Sequence, residues 1–367
     1  MKILIVSTLK RNVSEVQFAS RSRIIFEVAS GLAERGHEVT LMGTADSKVP
    51  DVTIMPVLEK GWIDMQATEN PFVRDASSLV LLGKTIAEVE KNFDIIHSHT
   101  YPDIFPTILD EYLIRPLVIT LHAQATENLL PEAIAKSNKT YFIALSKRYS
   151  EIIGEEYIYD VVYNGVDSSL YSYNDTPDDY LFWLGRLPKG KNDDGTFIDP
   201  KGAREAIQVA QDTNSRLYIG GIVEDPKFFE NDIKPHLNEK IQWVGNVGSE
   251  QSIPIEKVVS LMQNAKAFLM TIRQEEPFGL VMAEAMSCGT PVIAFNKGSI
   301  SEVVINGKTG FCVPPEEGIE GLKKAVENIH TINRADCRKL VEEKFTVEKM
   351  VDNYEKVYER ILKERIS

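Results

Sequence analysis

The chain has 367 residues, of which 43% are apolar and 26% are charged, a composition typical of globular proteins. This length exceeds what one hydrophobic core normally supports, so we expect two domains. The formal net charge of −13 argues against nucleic acid or an anionic lipid surface as a partner.

The amino-terminal residues 1–7 predict a strand and not a signal peptide, because the apolar run is short and no cleavage site follows it. No apolar run approaches the ~20 residues that cross a bilayer as a helix. The three cysteines are widely spaced, match no metal pattern and suit a reducing compartment: Cys288, Cys312 and Cys337. We therefore expect a cytoplasmic protein without an integral membrane segment.

Strands and helices alternate in the first half, which predicts a parallel sheet with helices on both faces. An amphipathic helix is predicted over residues 22–35 and ends at Gly36. The predicted strands are apolar enough to be buried on both sides: residues 3–6, 39–42, 94–97, 117–121 and 141–145.

The second half repeats this alternation after a polar stretch with turn-forming residues. The predicted strands are residues 180–184, 216–219, 241–244, 267–271 and 292–295, and the helices are residues 203–210, 280–287 and 347–364. We predict an N-terminal domain (1–168), a linker (169–179), a C-terminal domain (180–346) and a closing helix (347–367).

Residues 275–294 carry the strongest functional signal. Pro277 and Gly279 break the chain before a short apolar helix, and Gly289 ends it. Glu284 projects from the mostly apolar face of that helix, and a buried carboxylate needs hydrogen-bond donors. Those donors are either a neighbouring arginine or the hydroxyls of a bound ribose. Glu276 precedes the helix, beside backbone N–H groups that form a ready anion site.

This segment closely resembles the retaining glycosyltransferases of the GT-B fold, family 4 type. In that family two glutamates eight positions apart flank a Pro-Phe-Gly turn, and a Gly-x-Pro-Val strand follows; here the glutamates are Glu276 and Glu284. The resemblance implies an α/β protein with two Rossmann-like, doubly wound parallel-sheet domains that face a central cleft. It also implies that Glu276 contacts the donor sugar, Glu284 contacts the ribose, and the backbone of Phe278, Gly279 and Leu280 reaches the sugar and phosphates.

A glycosidase is the alternative reading of two glutamates, and the spacing argues against it. A hydrolytic pair lies ~5–10 Å apart across one bond. Eight residues of helix span about 12 Å, so these two carboxylates do not form such a pair.

Two cations match the phosphate-binding positions of the family. Arg186 follows Gly185 directly after a predicted strand, and Lys201 precedes Gly202, where a helix begins with N–H groups free for an anion. Residues 189–199 form an insertion that leaves Lys191 as a rival to Lys201. The insertion contains Asp193 and Asp194, but the resemblance implies that no metal is needed, and we assign none. Glycines that end predicted strands are expected to approach the base or phosphates, at Gly220-Gly221 and at Gly245-Asn246.

Histidines end strands of the first half. His122, in Thr-Leu-His, matches a family histidine that reaches the donor sugar. His97 is expected to help packing, and His99 to reach the cleft as an acceptor contact. Many relatives have a Gly-Gly pair after the first strand, whereas this chain has the segment 10–23 there. The segment is either a solvated loop or a loop that binds an anionic acceptor. Its cations would suit such an acceptor: Lys10, Arg11, Arg21 and Arg23.

We therefore predict a retaining hexosyltransferase that moves a sugar from a nucleotide diphosphate sugar to a small-molecule or glycan hydroxyl. The donor is expected mostly on the second domain and the acceptor on the first, with His122, Arg186, Lys201 and Glu276 as catalytic residues. No cofactor is expected, and a UDP-sugar is favoured over a GDP- or ADP-sugar. Two alternatives are a sugar-nucleotide epimerase on the same fold and a non-catalytic nucleotide-sugar-binding module. The joint presence of both glutamates and both cations argues against the non-catalytic module.

Overall fold

A computed structural model describes residues 1–17, 19–123, 129–137, 139–245, 247 and 253–366. The chain divides into two units. The first unit comprises Met1–Gly165 and Val347–Ser367, and the second comprises Val166–Thr346.

The first unit is built on a parallel sheet of seven strands in the order β3-β2-β1-β4-β5-β6-β7. The strands are β1 (Lys2–Val6), β2 (Glu38–Thr44), β3 (Thr53–Leu58), β4 (Ile95–Ser98), β5 (Leu117–Thr120), β6 (Thr140–Ala144) and β7 (Ile158–Val161). Strands β1, β4 and β5 are buried along almost their whole length, as expected for strands covered on both faces. In the register, Ile3 lies opposite Val39 on one side and Ile95 on the other.

Among the described residues of the first unit, the α-helices between these strands are α1 (Ser20–Glu34), α2 (Pro71–Val89), α3 (Leu129–Ala135) and α4 (Lys147–Ile153). Side-chain caps explain where two of them begin. Asn70 accepts a hydrogen bond from Val73 N at 3.2 Å before α2, and Ser146 accepts one from Tyr149 N at 3.1 Å before α4.

The second unit has a parallel sheet of six strands in the order β10-β9-β8-β11-β12-β13. The strands are β8 (Leu181–Leu187), β9 (Leu217–Val223), β10 (Ile241–Trp243), β11 (Ala267–Met270), β12 (Val292–Phe295) and β13 (Gly310–Val313). In each sheet the chain moves outward in one direction, returns to the centre and continues in the other. The reversal lies between β1 and β4 and between β8 and β11, and ligands of such sheets bind beyond the carboxyl ends of those strands.

The helices of the second unit are α5 (Ala203–Asp212), α6 (Pro226–Phe228), α7 (Ile255–Asn264), α8 (Leu280–Ser287), α9 (Ile300–Val303), α10 (Gly318–Asn328) and α11 (Arg334–Lys344). Helix α8 is largely buried and packs against α11. At its carboxyl end Ser287 O accepts a hydrogen bond from Arg338 Nη1 at 2.8 Å, a favourable position for a cation.

The final helix, α12 (Val347–Ile366), packs against α1 in the first unit. Arg35 anchors it through ion pairs to Asp352 at 2.7 Å and Glu355 at 2.9 Å. Residues 169–179, predicted as a linker, fall in the second unit, where Asn174 N donates to Cys288 O at 3.1 Å. None of the helices in the described ranges has the length and hydropathy needed to cross a membrane.

Two predicted strand ends are wrong. Strand β8 continues through Leu187, so Gly185 and Arg186 lie within it and not after it. Strand β9 likewise continues through Gly221 to Val223. The reason is the pairing of these strands, since Gly185 lies opposite Gly221 and a Cβ added at Gly221 would collide with the Gly185 carbonyl. The glycines here allow two backbones to approach each other, and the strands run on past them.

Candidate functional site

Lys201 and Glu276 meet in the second unit, near the carboxyl ends of β8 and β11. Lys201 Nζ lies 3.1 Å from Glu276 Oε2. Their side chains are 30% and 16% exposed, so the pair is shielded without being closed off from solvent. Two residues that sequence reasoning chose separately are therefore direct neighbours.

The turn that presents Lys201 is fixed to the residue that follows β11. Thr271 Oγ1 donates to Gly202 O at 2.5 Å and itself accepts a hydrogen bond from Trp183 Nε1 at 3.1 Å. Gly202 has φ +74°, and an added Cβ would collide with the Thr271 carbonyl. Only glycine fits this position, and the turn holds the Lys201 backbone in a defined place.

The start of α5 corrects one expectation. Asp199 accepts hydrogen bonds from Gly202 N at 3.0 Å and Arg204 N at 2.9 Å, and burial raises the pKa of its carboxyl. These N–H groups were expected to be free for an anion, but an internal carboxylate already uses them. An anion near this turn therefore depends on the Lys201 ammonium and not on the α5 amides.

The turn that carries Glu276 is held by the loop after β12. Ser299 N donates to Glu276 O at 2.9 Å, and Ser299 Oγ donates to Phe278 O at 2.8 Å. Gly298 N donates to Glu275 Oε2 at 2.6 Å. Gly279, with φ +73°, opens α8, and within the described chain no side chain caps this helix start. The expected contact between the Leu280 amide and the donor stays a prediction.

Glu284 is half-buried on α8, one turn before Cys288. Burial raises the pKa of the Cys288 thiol to about 12, and the Glu284 charge acts in the same direction. The thiol is therefore protonated at neutral pH and is no candidate nucleophile. The ribose role of Glu284 stays a prediction.

Among the described residues, Arg186 forms no hydrogen bond or ion pair with Lys201 or Glu276. It is 61% exposed and forms an ion pair with Glu224 at 3.2 Å. Gly221 lies opposite Gly185 on the neighbouring strand. Asn246, the other predicted ligand contact in this region, lies outside the described residues.

The 189–199 insertion is an ordered hairpin. Lys191 and Phe197 form an antiparallel bridge, and Asn192 N donates to Thr196 O at 2.8 Å. Lys191 Nζ lies 4.4 Å from the centre of the Phe197 ring, within range of a cation–π interaction. Asp194 accepts hydrogen bonds from Thr196, and in the described part of the chain no three His, Cys, Asp or Glu side chains converge as metal ligands.

Buried histidines occupy the corresponding strand ends of the first unit. His99 Nδ1 lies 2.8 Å from His122 Nε2. His97 is fully buried, as expected for a packing residue, with Nε2 2.8 Å from Thr120 Oγ1 and Nδ1 2.6 Å from Tyr358 Oη. Burial lowers the pKa of His97 to about 3, and it lowers the pKa values of His99 and His122 well below their usual range. All three rings are neutral at pH 7.

The predicted acceptor loop is shorter and less cationic than expected. Arg21 and Arg23 lie in the first turns of α1, not in a loop, because the helix begins at Ser20. Arg21 pairs with Asp103 at 2.7 Å and Arg23 with Glu27 at 2.5 Å. The segment before α1 is partly packed, with Leu9 and Val13 fully buried. Lys10 is exposed and Arg11 partly exposed within that segment.

Sequence reasoning missed the residues that hold these sites in place. Most of their partners are distant in sequence, so local patterns do not reveal them: Asp103, Thr271, Ser299, Tyr358 and Tyr354, whose Oη lies 2.9 Å from Thr120 Oγ1. Asp199 is different, since its partners Gly202 and Arg204 are close in sequence.

The chain matches two family models in tandem. Residues 22–170 match "Glycosyltransferase Family 4" and residues 180–345 match "Glycosyl transferases group 1". The chain thus belongs to the group 1, family 4 type of glycosyltransferases, as predicted, and retention of configuration stays a prediction.

Two curated relatives align over most of the chain. An uncharacterised glycosyltransferase of Methanocaldococcus jannaschii is 29% identical over 299 residues, which is 76% of this chain and 79% of that protein. The N-acetyl-alpha-D-glucosaminyl L-malate synthase of Bacillus anthracis is 24% identical over 375 residues, or 92% and 93% of the two chains.

Solved structures confirm the GT-B fold. Sucrose-phosphate synthase from Thermosynechococcus elongatus superposes with a TM-score of 0.74 at 17% identity, covering 99% of this chain and 100% of that one. Anabaena HepE in complex with UDP-glucose gives a TM-score of 0.69 at 16% identity, covering 98% and 100%. The two parallel-sheet units are the two domains of this fold.

Proposed function

We propose that this glycosyltransferase moves a sugar from a nucleotide diphosphate sugar to an acceptor hydroxyl with retention of anomeric configuration. The observation that carries the proposal is the 3.1 Å contact between Lys201 Nζ and Glu276 Oε2 at the carboxyl ends of β8 and β11. It puts a cation suited to phosphate beside a carboxylate suited to sugar hydroxyls, where the fold binds ligands.

Lys201 stabilises the departing diphosphate in this mechanism. Negative charge grows on the leaving oxygen as the bond to the sugar breaks, and a cation already in place stabilises it without reorganisation. The hydrogen bonds from Thr271 to the Lys201-Gly202 turn supply that fixed position. The amides that open α8 and the Arg186 side chain add donors for the phosphates.

Glu276 binds hydroxyls of the transferred sugar. Its Oε2 accepts from Lys201, and among the described residues no hydrogen bond to Oε1 is found, so we assign Oε1 to a sugar hydroxyl. The acceptor oxygen attacks the anomeric carbon on the face that the diphosphate leaves. The bond from that carbon to the phosphate oxygen breaks, the bond to the acceptor oxygen forms, and the acceptor proton passes to the departing phosphate oxygen. Configuration is retained without a covalent enzyme intermediate.

In the first unit, we assign His122 to a hydrogen bond with a sugar hydroxyl. The side chain is partly exposed, and its neutral ring offers a hydrogen bond without a charge. We assign Lys10 and Arg11, which are exposed and partly exposed, to contact with an anionic acceptor. Internal carboxylates pair with Arg21 and Arg23. The Bacillus anthracis relative is named for L-malate, a hydroxy acid, and this supports an acceptor with carboxylates.

Among donors we favour a UDP-sugar. Anabaena HepE, similar over nearly its full length, was solved with UDP-glucose, and this supports uridine over the other bases.

A thermal-shift screen tests the donor class. UDP, GDP, ADP and their sugars are each added to the purified chain, since a ligand at 100 times its dissociation constant stabilises by about 2.7 kcal/mol. We expect one nucleoside diphosphate and its sugar to raise the melting temperature and the other bases to have smaller effects. No response to any of them would contradict the proposal.

The responding donor is then incubated with hydroxy acids and with simple glycans, and proton NMR follows the anomeric signal from the first turnovers. The expected product keeps the anomeric configuration of the donor. An inverted product would contradict the same-face mechanism. Conversion of the donor without any acceptor, to an isomeric nucleotide-sugar, would identify an epimerase instead.

A further inference from the structure

His99 and His122 form a hydrogen-bonded pair at the ends of adjacent parallel strands. His99 follows β4 and His122 follows β5 by two residues, and these strands pair in parallel. The joined atoms are His99 Nδ1 and His122 Nε2, 2.8 Å apart, and the two ring centres are 5.1 Å apart. One ring donates to the other, since a neutral imidazole has one N–H and one acceptor nitrogen.

His122 is held through its backbone and through one ring nitrogen. Its backbone N–H and that of Ala123 both donate to Asp103 Oδ2 at 2.7 Å, and Asp103 is held in turn by Arg21 at 2.7 Å. Its Nε2 is taken by His99. Over the ranges described, no group bonds to His122 Nδ1, and the side chain is partly exposed. Nδ1 is therefore the ring nitrogen available to a ligand.

His99 has no evident use except to hold His122. It is fully buried, and its Nε2 finds no hydrogen-bond partner within the described chain. Its ring lies 4.1 Å from that of His97, which Tyr358 and Thr120 hold in place. A buried nitrogen without a partner costs stability, and such an atom calls for an explanation. We infer that the hydrogen bond between His99 Nδ1 and His122 is the reason for a histidine at this buried position.

We propose that His122 meets the sugar through Nδ1, and that His99 is a positioning residue that fixes the ring by binding Nε2. The identity of the ligand as a sugar rests on the function proposed above, whereas the pairing of the two rings does not. Because the pair ends at a partnerless nitrogen, it has no onward path for a proton in the described structure. His122 thus acts through a hydrogen bond and not as a base that relays its proton inward.

Asparagine and glutamine distinguish the two nitrogens. An asparagine amide reaches about the position of Nδ1, and a glutamine amide reaches that of Nε2. His122→Asn keeps a polar group toward the ligand, so we expect kcat/KM to fall by less than about tenfold. His122→Gln keeps the contact to His99 but loses the group that faces the ligand, so we expect a loss of about a hundredfold or more, as for a removed positioned donor. The reverse order would overturn the assignment. His330→Asn, an exposed histidine of the second unit, is the matched control and should leave activity unchanged.

The positioning role of His99 has its own test, independent of turnover. Long-range proton–nitrogen correlation spectra report whether each imidazole nitrogen is hydrogen-bonded. In the wild-type protein and in His99→Asn, which keeps a group near Nδ1, we expect His122 Nε2 to show a bonded shift. In His99→Gln that shift should be lost, with melting temperatures recorded for both variants. A His122 spectrum that is the same in both variants, in folded protein, would overturn the pairing. If the pairing is observed but no sugar donor is turned over, the proposed function fails and the pairing stands.

Discussion

The two sheets share a strand order at their centres, yet the residues at their carboxyl ends differ in kind. In the first unit these residues are neutral rings and hydroxyls, with His97 and His99 fully buried. In the second unit they are a cation and a carboxylate, Lys201 and Glu276, both partly exposed. The common topology fixes where a ligand binds, whereas the residues after each strand decide what is bound.

Burial explains why the two sets can coexist in one chain. A histidine removed from water loses its charge, so the first unit offers hydrogen bonds without attracting an anion. The Lys201 side chain is 30% exposed and has one carboxylate beside it. We infer that the first unit is suited to sugar hydroxyls and the second to a diphosphate.

Replacing Lys201, the cation of the second unit, should have the largest effect on turnover. Lys201→Ala should lower kcat by ~10²–10³, the range for losing a preorganised transition-state donor. Lys191→Ala is the matched control and should cost well under about tenfold, because Lys191 lies against Phe197 in a hairpin that is already ordered. Steady-state kinetics with saturating donor measures both.

If the two effects came out reversed, the hairpin would be the true phosphate loop. The assignment of Lys201 to the diphosphate would then be wrong, and the ion pair with Glu276 would be a structural contact.

Replacing Glu276, the carboxylate of the same pair, should lower turnover far more than it lowers nucleotide affinity. Glu276→Gln keeps the shape but removes the charge, so we expect kcat to fall by about a hundredfold. The dissociation constant of the nucleoside diphosphate, from calorimetry, should change by less than about threefold, since the partner of Glu276 is the sugar. Equal losses in both quantities would place Glu276 at the nucleotide instead.

A substitution of Glu284 on α8 tests whether the second unit also binds the ribose of the nucleotide. Glu284→Ala removes a ribose partner, and losing a charged hydrogen-bond partner costs roughly 1.5–3 kcal/mol. The nucleoside diphosphate should therefore bind about tenfold to a hundredfold more weakly, as measured by calorimetry. Glu316→Ala, at an exposed glutamate, is the control. Unchanged affinity in Glu284→Ala would indicate that Glu284 has a structural partner and not a ribose.

The buried histidines predict a smaller effect, on stability. The pKa of His97 falls from 6.5 to about 3 on folding, so the unfolded chain takes up the proton first as the pH drops. The contribution of neutral His97 to the free energy of unfolding is fully present above pH 6.5 and is lost as the pH falls toward 3. At pH 5.5 one such group lowers the free energy of unfolding by roughly 1 kcal/mol. The melting temperature should fall between pH 7.5 and 5.5, and this fall should be smaller in His97→Gln. An unchanged slope in a folded variant would show that His97 is protonated inside the native protein.

Removal of metal should have the smallest effect. Fixed cations serve the diphosphate in the proposed mechanism, so activity should survive exhaustive treatment with EDTA. Loss of activity that magnesium or manganese restores would contradict this and direct attention to Asp193 and Asp194.

The sequence predicted best the elements whose signals are local. Helix α8 and strand β12 have the predicted bounds, because apolar runs are closed there by Gly279, Gly289 and Pro291. Strands β3, β7 and β13 were missed, since they lie at sheet edges and are only partly buried, without a continuous apolar run. Strands β8 and β9 run past their glycines because Gly185 and Gly221 face each other, which no local pattern reports.

The site divides in the same way. Lys201, Glu276 and His122 were chosen from motifs within short segments. The contacts that hold them depend on strand order and on pairs far apart in the chain, such as Asp103 with Arg21 and Thr271 with Gly202. The capping of α5 by Asp199 was also missed, and it removed amides that had been expected to bind phosphate.

Hydrogen exchange tests the contrast between the two units most directly. Backbone amide hydrogens are exchanged for deuterium with and without the nucleoside diphosphate that gives the largest thermal shift. Deuterium uptake is then compared peptide by peptide along the chain. We expect slower exchange in peptides that contain 199–204 and 275–287, with little change in those that contain 97–103 and 117–123. Protection confined to the first-unit peptides would contradict the assignment of the diphosphate to Lys201, Glu276 and the start of α8.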